Sequence, residues 1–320
     1  MKTPIKTLLL LLALVIPRPA VRAADQEIKI YPGFNYIGAH VVSAPTTTPV
    51  LLSGFNQFVL QFKSTPAWAW THLNLAASAY TVEDPVNGYW DIVVGCNTPA
   101  RTLTLNHPWL GTLGMTPILR RVKTLNQLFG TQPKAGLPGT ADRIWVPDGT
   151  GNGYNFYFRN AAGAWRKTGA PGIYQGTAPI YFIQGMFYER NDTANFILKF
   201  TGQPITTQKM VFMGDVTSHR SMLTSLGANS SGAGTDLVSS LFGLTTPYVP
   251  AKTLGTFGLF PIVAGADVFT LQHASGNLET YAFNGTNWED WSTNNADTVP
   301  LSSGFVYDRW SGAGVGVLTP

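Results

Sequence analysis

At 320 residues, 44% of them hydrophobic and 12% charged, the chain can bury a sizeable core unaided, and its single cysteine allows no disulfide within one molecule. The formal charge of +4 belongs to the N-terminus: Lys2, Lys6, Arg18 and Arg22 are four of the 21 basic residues, and without them 17 Lys+Arg face 17 Asp+Glu. A chain so balanced, with no basic cluster denser than Arg120-Arg121-x-Lys123, is poorly suited to the phosphates of a nucleic acid.

The first 23 residues read as an export signal. Lys2 and Lys6 precede a short apolar run, Leu8 to Ile16, and Val21-Arg22-Ala23 offers a cleavage site before Ala24. The run is about half the roughly 20 residues needed to cross a bilayer, so a mature chain without a transmembrane span, extracellular or at the cell surface, is expected.

Short alternating segments follow. Residues 26–42 read as two strands about Pro32-Gly33, and residues 50–62 as a second such unit in which Phe58, Leu60 and Phe62 share one face. Aromatic patches stand at Trp68-Ala69-Trp70 and Tyr89-Trp90, with a strand expected over 73–80. Strands at 92–94 and 101–105 flank Asn97-Thr98-Pro99, and Cys96, beside Ile92-Val93-Val94, is expected to be buried. Thr116-Pro117 is a helix-start signal, and the spacing of Ile118, Leu119, Val122, Leu125, Leu128 and Phe129 predicts a helix over 118–129 that Gly130 stops. A related helix is predicted over 236–243. Strands at 195–200 and 210–213 flank a turn at 201–204. Glycines 227, 232 and 234 mark the best domain boundary, dividing the mature chain into 24–230 and 231–320. The Gly/Val tail, 311–320, predicts an edge strand that pairs in the same molecule or in a neighbour.

One stretch organises the rest: Gly139 to Arg190 returns, shortened, as Gly265 to Arg309. Each opens on an Asp (Asp142, Asp267) and passes a Gly/Asn turn. An aromatic strand follows (Tyr154, Phe156, Phe158; Tyr281, Phe283), then a Trp (Trp165, Trp288). Each closes on Gly-x-x-Tyr-acid-Arg: Tyr188-Glu189-Arg190 and Tyr307-Asp308-Arg309. The recurrence of acid and Arg points to a structural task, closing each module by ion pair or backbone hydrogen bond, and the recurring Trp points to core.

TLNQLFG, ADRIWV, the aromatic strand, Gly33-Phe34-Asn35-Tyr36-Ile37 and Val211-Phe212-Met213-Gly214-Asp215-Val216 together resemble a loosely described group of exported bacterial β-rich repeat proteins. The resemblance covers about half of the mature chain, and residues 64–114 depart from it as an insertion. It implies a surface or extracellular location and carries no catalytic residue.

No constellation of residues announces chemistry. His40, His72, His107, His219 and His273 are scattered, with no HExxH, Cys-x-x-Cys, nucleophile elbow or phosphate loop, so no cofactor or metal is expected. PDGTGNGY, residues 147–154, has the spacing of a hairpin turn. A secreted glycoside hydrolase would need two acids across a cleft. The adjacent pairs Glu83-Asp84 and Glu289-Asp290 would point to opposite faces of a strand. Asp148 to Asn152 and Asn294 to Asp297 offer oxygens for calcium, though plain turn chemistry accounts for both. Trp68, Trp70, Trp90 and Trp109, outside the recurring stretch, are candidates for stacking on polysaccharide.

The expectation is a mainly β protein of antiparallel sandwich- or barrel-like modules, internally duplicated, with short connecting helices. Its expected role is structural, by self-association or by binding another envelope component. A non-catalytic carbohydrate-binding protein is the alternative, and a glycoside hydrolase the second.

Overall fold

The computed structural model describes residues 24–39, 41–45, 51–64, 80–97, 99–148, 153–182, 184–205, 209–213, 220–224, 268–272, 276–283, 288–290, 292, 294–295, 304–308 and 314–318. The segment expected to be an export signal, Trp68, Trp70, Asp267, Arg309, the helix expected over 236–243 and the 227–234 boundary lie outside them. The fold is mainly β, in several antiparallel sheets.

Alternation builds the first five-stranded sheet. In β11 (Arg143–Pro147), Ile144 and Val146 are buried while Arg143, Trp145 and Pro147 take the other face. The strand lies mid-sheet, in the order β13 (Trp165–Lys167), β12 (Tyr154–Arg159), β11, β15 (Met186–Arg190), β2 (Gly33–Ile37). Its inner face, with Ile37, Ile144, Tyr157, Trp165 and Tyr188, shares one core with a three-stranded sheet ordered β1 (Ala24–Ile30), β16 (Phe196–Pro204), β3 (Val41–Val42). The strands expected on either side of Pro32-Gly33 both form, but each pairs elsewhere: β1 with β16 and β2 with β15. Gly33, at φ +86°, turns the chain from one sheet into the other, a conformation that suits glycine. The turn expected at 201–204 is absent, because β16 runs through it to pair Gln203 and Pro204 with Val42 and Val41.

The helix predicted over 118–129 is mostly strand. Ile118–Arg121 (β9) pairs with Tyr80–Glu83 (β6), and Lys123–Thr124 (β10) pairs with Pro179–Ile180 (β14). Only α1 (Leu125–Phe129) is helical, opened by Thr124 and Gln127 in a reciprocal capping box. Apolar residues at 118, 119 and 122 fit a helical spacing, which is overridden here. Tertiary pairing decides, since a strand carries Arg120 to the buried Glu83, 2.7 Å from Nε to Oε1.

That pairing belongs to a six-stranded sheet with its own core, ordered β4 (Leu52–Asn56), β5 (Val59–Phe62), β8 (Thr102–Leu105), β7 (Trp90–Asn97), β6, β9. Cys96, expected to be buried, is half-buried against this core. Lys209 of β17 (Lys209–Met213) reaches the same carboxylate, Nζ to Oε2 2.9 Å, so Glu83 ties two sheets together. The C-terminal strand β23 (Gly314–Leu318) pairs with β17 in the same chain.

The second five-stranded sheet is ordered β21 (Trp288–Glu289), β20 (Leu278–Phe283), β19 (Val268–Gln272), β22 (Gly304–Asp308), β18 (Arg220–Thr224). Its strand order matches the first, and so does its register. Ile144 faces Tyr157 and Tyr188 as Phe269 faces Tyr281 and Tyr307, while Arg159 faces Trp165 as Phe283 faces Trp288. Trp165 and Trp288 are each 1% exposed. The aromatic strands align one residue away from the sequence reading, with Tyr157 rather than Phe156 or Phe158 opposite the position of Tyr281. Edge strand β18 comes from residues 220–224, so this sheet draws on both sides of position 230. Gln272 bridges to β2 of the first sheet, accepting from the Tyr36 amide (2.9 Å) and donating to the Phe34 carbonyl (3.2 Å).

Candidate functional site

The acid and arginine that close the first stretch have separate partners. Asp142, buried, accepts from the Tyr188 hydroxyl (2.7 Å), Arg190 Nη1 (2.8 Å) and the Lys134 amide (3.0 Å) on Oδ2, and from the Asn191 amide (2.9 Å) on Oδ1. The opening Asp and the closing Tyr and Arg therefore hold each other. Burial, and then the donated hydrogen bond to Asp142, raises the Tyr188 pKa far above its ordinary value. Glu189 points to the other face, where it pairs with Arg143 and accepts from Trp145 Nε1 (2.9 Å). Tyr307 and Asp308 hold the corresponding places in β22.

That other face is aromatic. Phe156, Trp145, Phe187 and Tyr36 stand directly opposite one another on β12, β11, β15 and β2, a transverse row across four strands. Tyr154 and Phe34 flank it, and Phe34 is 48% exposed while the other rings are half-buried. Phe156 sets its ring against Trp145 at 4.4 Å and 78°, Phe34 against Trp145 at 5.0 Å and 80°, and Tyr36 against Phe187 at 4.7 Å and 54°. Such inclined contacts add about 0.5–1.5 kcal/mol per pair beyond area burial. The guanidinium of Arg143 lies 5.7 Å from the Trp145 ring.

The second sheet lacks this face. In register, Thr280, Thr270, Val306 and Met222 take the positions of Phe156, Trp145, Phe187 and Tyr36, and Thr270 and Thr280 hydrogen-bond across the strands at 3.0 Å. Tyr157, Tyr188 and Trp165 recur in register as Tyr281, Tyr307 and Trp288, whereas the row between them is aromatic in one sheet and small or aliphatic in the other. Sequence reasoning named the recurring residues and missed Phe34, Tyr36, Trp145 and Phe187. The signal that marks them is period-two alternation of aromatics on strands otherwise alike.

The remaining sequence candidates are placed elsewhere. Trp109 is enclosed, 4% exposed, with its ring edge-on to Tyr89 at 4.9 Å, and Trp90 is half-buried against Phe182. Trp109 therefore presents no open ring face to a sugar. Glu83 and Asp84, expected on opposite faces, are both buried: Glu83 sits among Arg120 and Lys209, and Asp84 accepts from the Val86 and Thr112 amides beyond the strand end. Asp290 closes a turn through the Ser292 and Asn294 amides, and Asp148 a hairpin to Gly153. His107 lies 2.9 Å from the buried Asp91. Among the described residues no three His, Cys, Asp or Glu side chains gather as metal ligands, and no helix is long and apolar enough to cross a membrane. A cavity of ≈ 10 Å³ between Val41, Arg120, Lys123 and Ile180 has room for about one water.

Neither a scan of protein-family models nor searches of curated proteins and of solved structures return a match to this chain.

Proposed function

We propose that this chain is an exported structural protein built on an internal duplication, and that copies of it associate through the aromatic outer face of the first five-stranded sheet. One observation carries the reading: two sheets with the same strand order, register and buried Trp differ in the outer row, so the scaffold itself does not require aromatics there. Half-exposed rings retained against the solvation cost point to a surface that is covered in the working assembly.

A second copy of the chain is the fitting occupant. The rings are inclined edge to face, which favours interdigitation with other apolar side chains over the flat stacking that a sugar ring needs. At the border Glu189 already takes Arg143 Nη2 and the Trp145 N–H, so those two donors are engaged within the sheet rather than held out to sugar hydroxyls. Balanced charge after residue 23 removes the repulsion that keeps identical chains apart.

Sedimentation velocity over a concentration series tests this. Association at micromolar concentration, abolished by Phe34→Ser, is expected. A monomer at every concentration and salt would contradict it, and retention on polysaccharide that Trp145→Ala removes would favour the carbohydrate reading instead.

A further inference from the structure

A second surface lies at one end of the six-stranded sheet. The β4–β5 turn, the turn after β6 and the loop over 106–117 converge there. They present Phe55, Phe58, Val86, Leu110 and Leu113, exposed by 42, 40, 68, 43 and 58%. Residues 53–59, 85–90 and 106–117 hold no Asp, Glu, Lys or Arg, and the neighbouring Asp84 is buried within the turn that it organises.

The loops are tied down. The Trp109 amide donates to the Gln57 carbonyl (2.5 Å), the Thr112 amide to Asp84 Oδ2 (2.6 Å) and Asn87 Nδ2 to the Leu110 carbonyl (3.0 Å). A Cβ on Gly111 would stand 2.2 Å from the Trp109 ring, so this close approach needs glycine. Apolar tips are thus held outward on backbone that is pinned to the protein at Val86, Trp109, Leu110 and Thr112, and each group so paired is one that a water-poor layer would not have to solvate.

We infer that this end docks on a lipid surface of neutral headgroups. The five tips stand on three neighbouring loops, so that end of the sheet can enter the acyl boundary, as apolar residues of interfacial elements do. The absence of Lys and Arg, with His107 paired to Asp91, removes attraction to anionic lipid and matches a zwitterionic surface. The inference is independent of the aromatic face, which belongs to another sheet.

Flotation of the full chain with phosphatidylcholine vesicles tests it. The chain is expected to float equally at low and high salt, with no gain from added anionic lipid, and Leu110→Ser/Leu113→Ser to lower the bound fraction about tenfold. Both proteins carry the same N-terminal segment, so the difference reports the tip. Phe34→Ser, on the other face, leaves flotation unchanged. Should the double variant fail to fold, Phe58→Ser/Val86→Ser reads the other two loops. The inference is overturned by absence of flotation, by flotation that needs anionic lipid or falls with salt, or by tip variants that fold and float like the parent. Loss of self-association in a tip variant of a chain that does not float would assign the surface to a second copy instead.

Discussion

Arg190 places Nη1 2.8 Å from Oδ2 of Asp142, 48 residues earlier in the chain, so the residue that ends the first stretch is held by the one that opens it. The Tyr188 hydroxyl shares that carboxylate oxygen. Removing the acid leaves a guanidinium with little exposure and only the exposed Asp192 carboxylate, 3.5 Å from Nη2, as counter-ion, and Asp142→Ala is expected to destabilise the fold by about 3–5 kcal/mol. Tyr188→Phe loses one hydrogen bond and is expected to cost about 1–3 kcal/mol. Urea unfolding of the two variants against the parent measures both.

The same hydroxyl makes stability sensitive to alkali. Tyr188 and Tyr89 are both raised above the ordinary value of 10.0, chiefly by burial, with Asp142 and Asp91 respectively adding to the effect. Above that pH the unfolded chain releases these protons while the folded chain keeps them, so stability is fully present below about pH 10 and falls as pH rises beyond it. Midpoints of urea unfolding between neutral and strongly alkaline pH should show the decline. Tyr188→Phe should flatten it, and an equally steep decline in the variant would assign the effect to other groups.

Trp165 and Trp288 are enclosed at matched register positions, opposite Arg159 and Phe283. If the two sheets are copies of one scaffold, truncating either ring leaves the same cavity, and each Trp→Ala change is expected to cost about 3–5 kcal/mol. Thermal unfolding of the two variants compares them directly. A large effect in one and none in the other would argue against equivalent sheets.

Glu83 is a junction of another kind, with Arg120 and Lys209 on one buried carboxylate. Glu83→Ala strands two cations and is expected to destabilise by about 3–5 kcal/mol, more than Lys209→Met, which removes a charge and fills its place. Unfolding curves of the pair rank them.

The Asp142, Tyr188 and Arg190 group and the two enclosed rings of Trp165 and Trp288 were legible because they combine turn chemistry with buried aromatics, features that sequence order alone preserves. Phe34 and Tyr36 were not, because β2 joins the sheet through pairs such as Asn35 with Tyr188, 153 residues apart. The misplaced helix has the same origin. Leu119 and Val122 satisfy a helical spacing, and what overrides it is the distant strand β6 with its carboxylate. The outer aromatic row was hidden by the likeness that revealed the stretch, for aligning aromatics with aromatics shifted Tyr157 out of register with Tyr281.

The most direct test gives the first sheet the outer row of the second: Tyr36→Met, Trp145→Thr, Phe156→Thr and Phe187→Val in one chain, examined by sedimentation velocity beside the parent. The account predicts a folded chain that stays monomeric where the parent associates. A chain that unfolds would make the aromatic row part of the scaffold, and one that associates as the parent does would place the contact elsewhere; either result contradicts it.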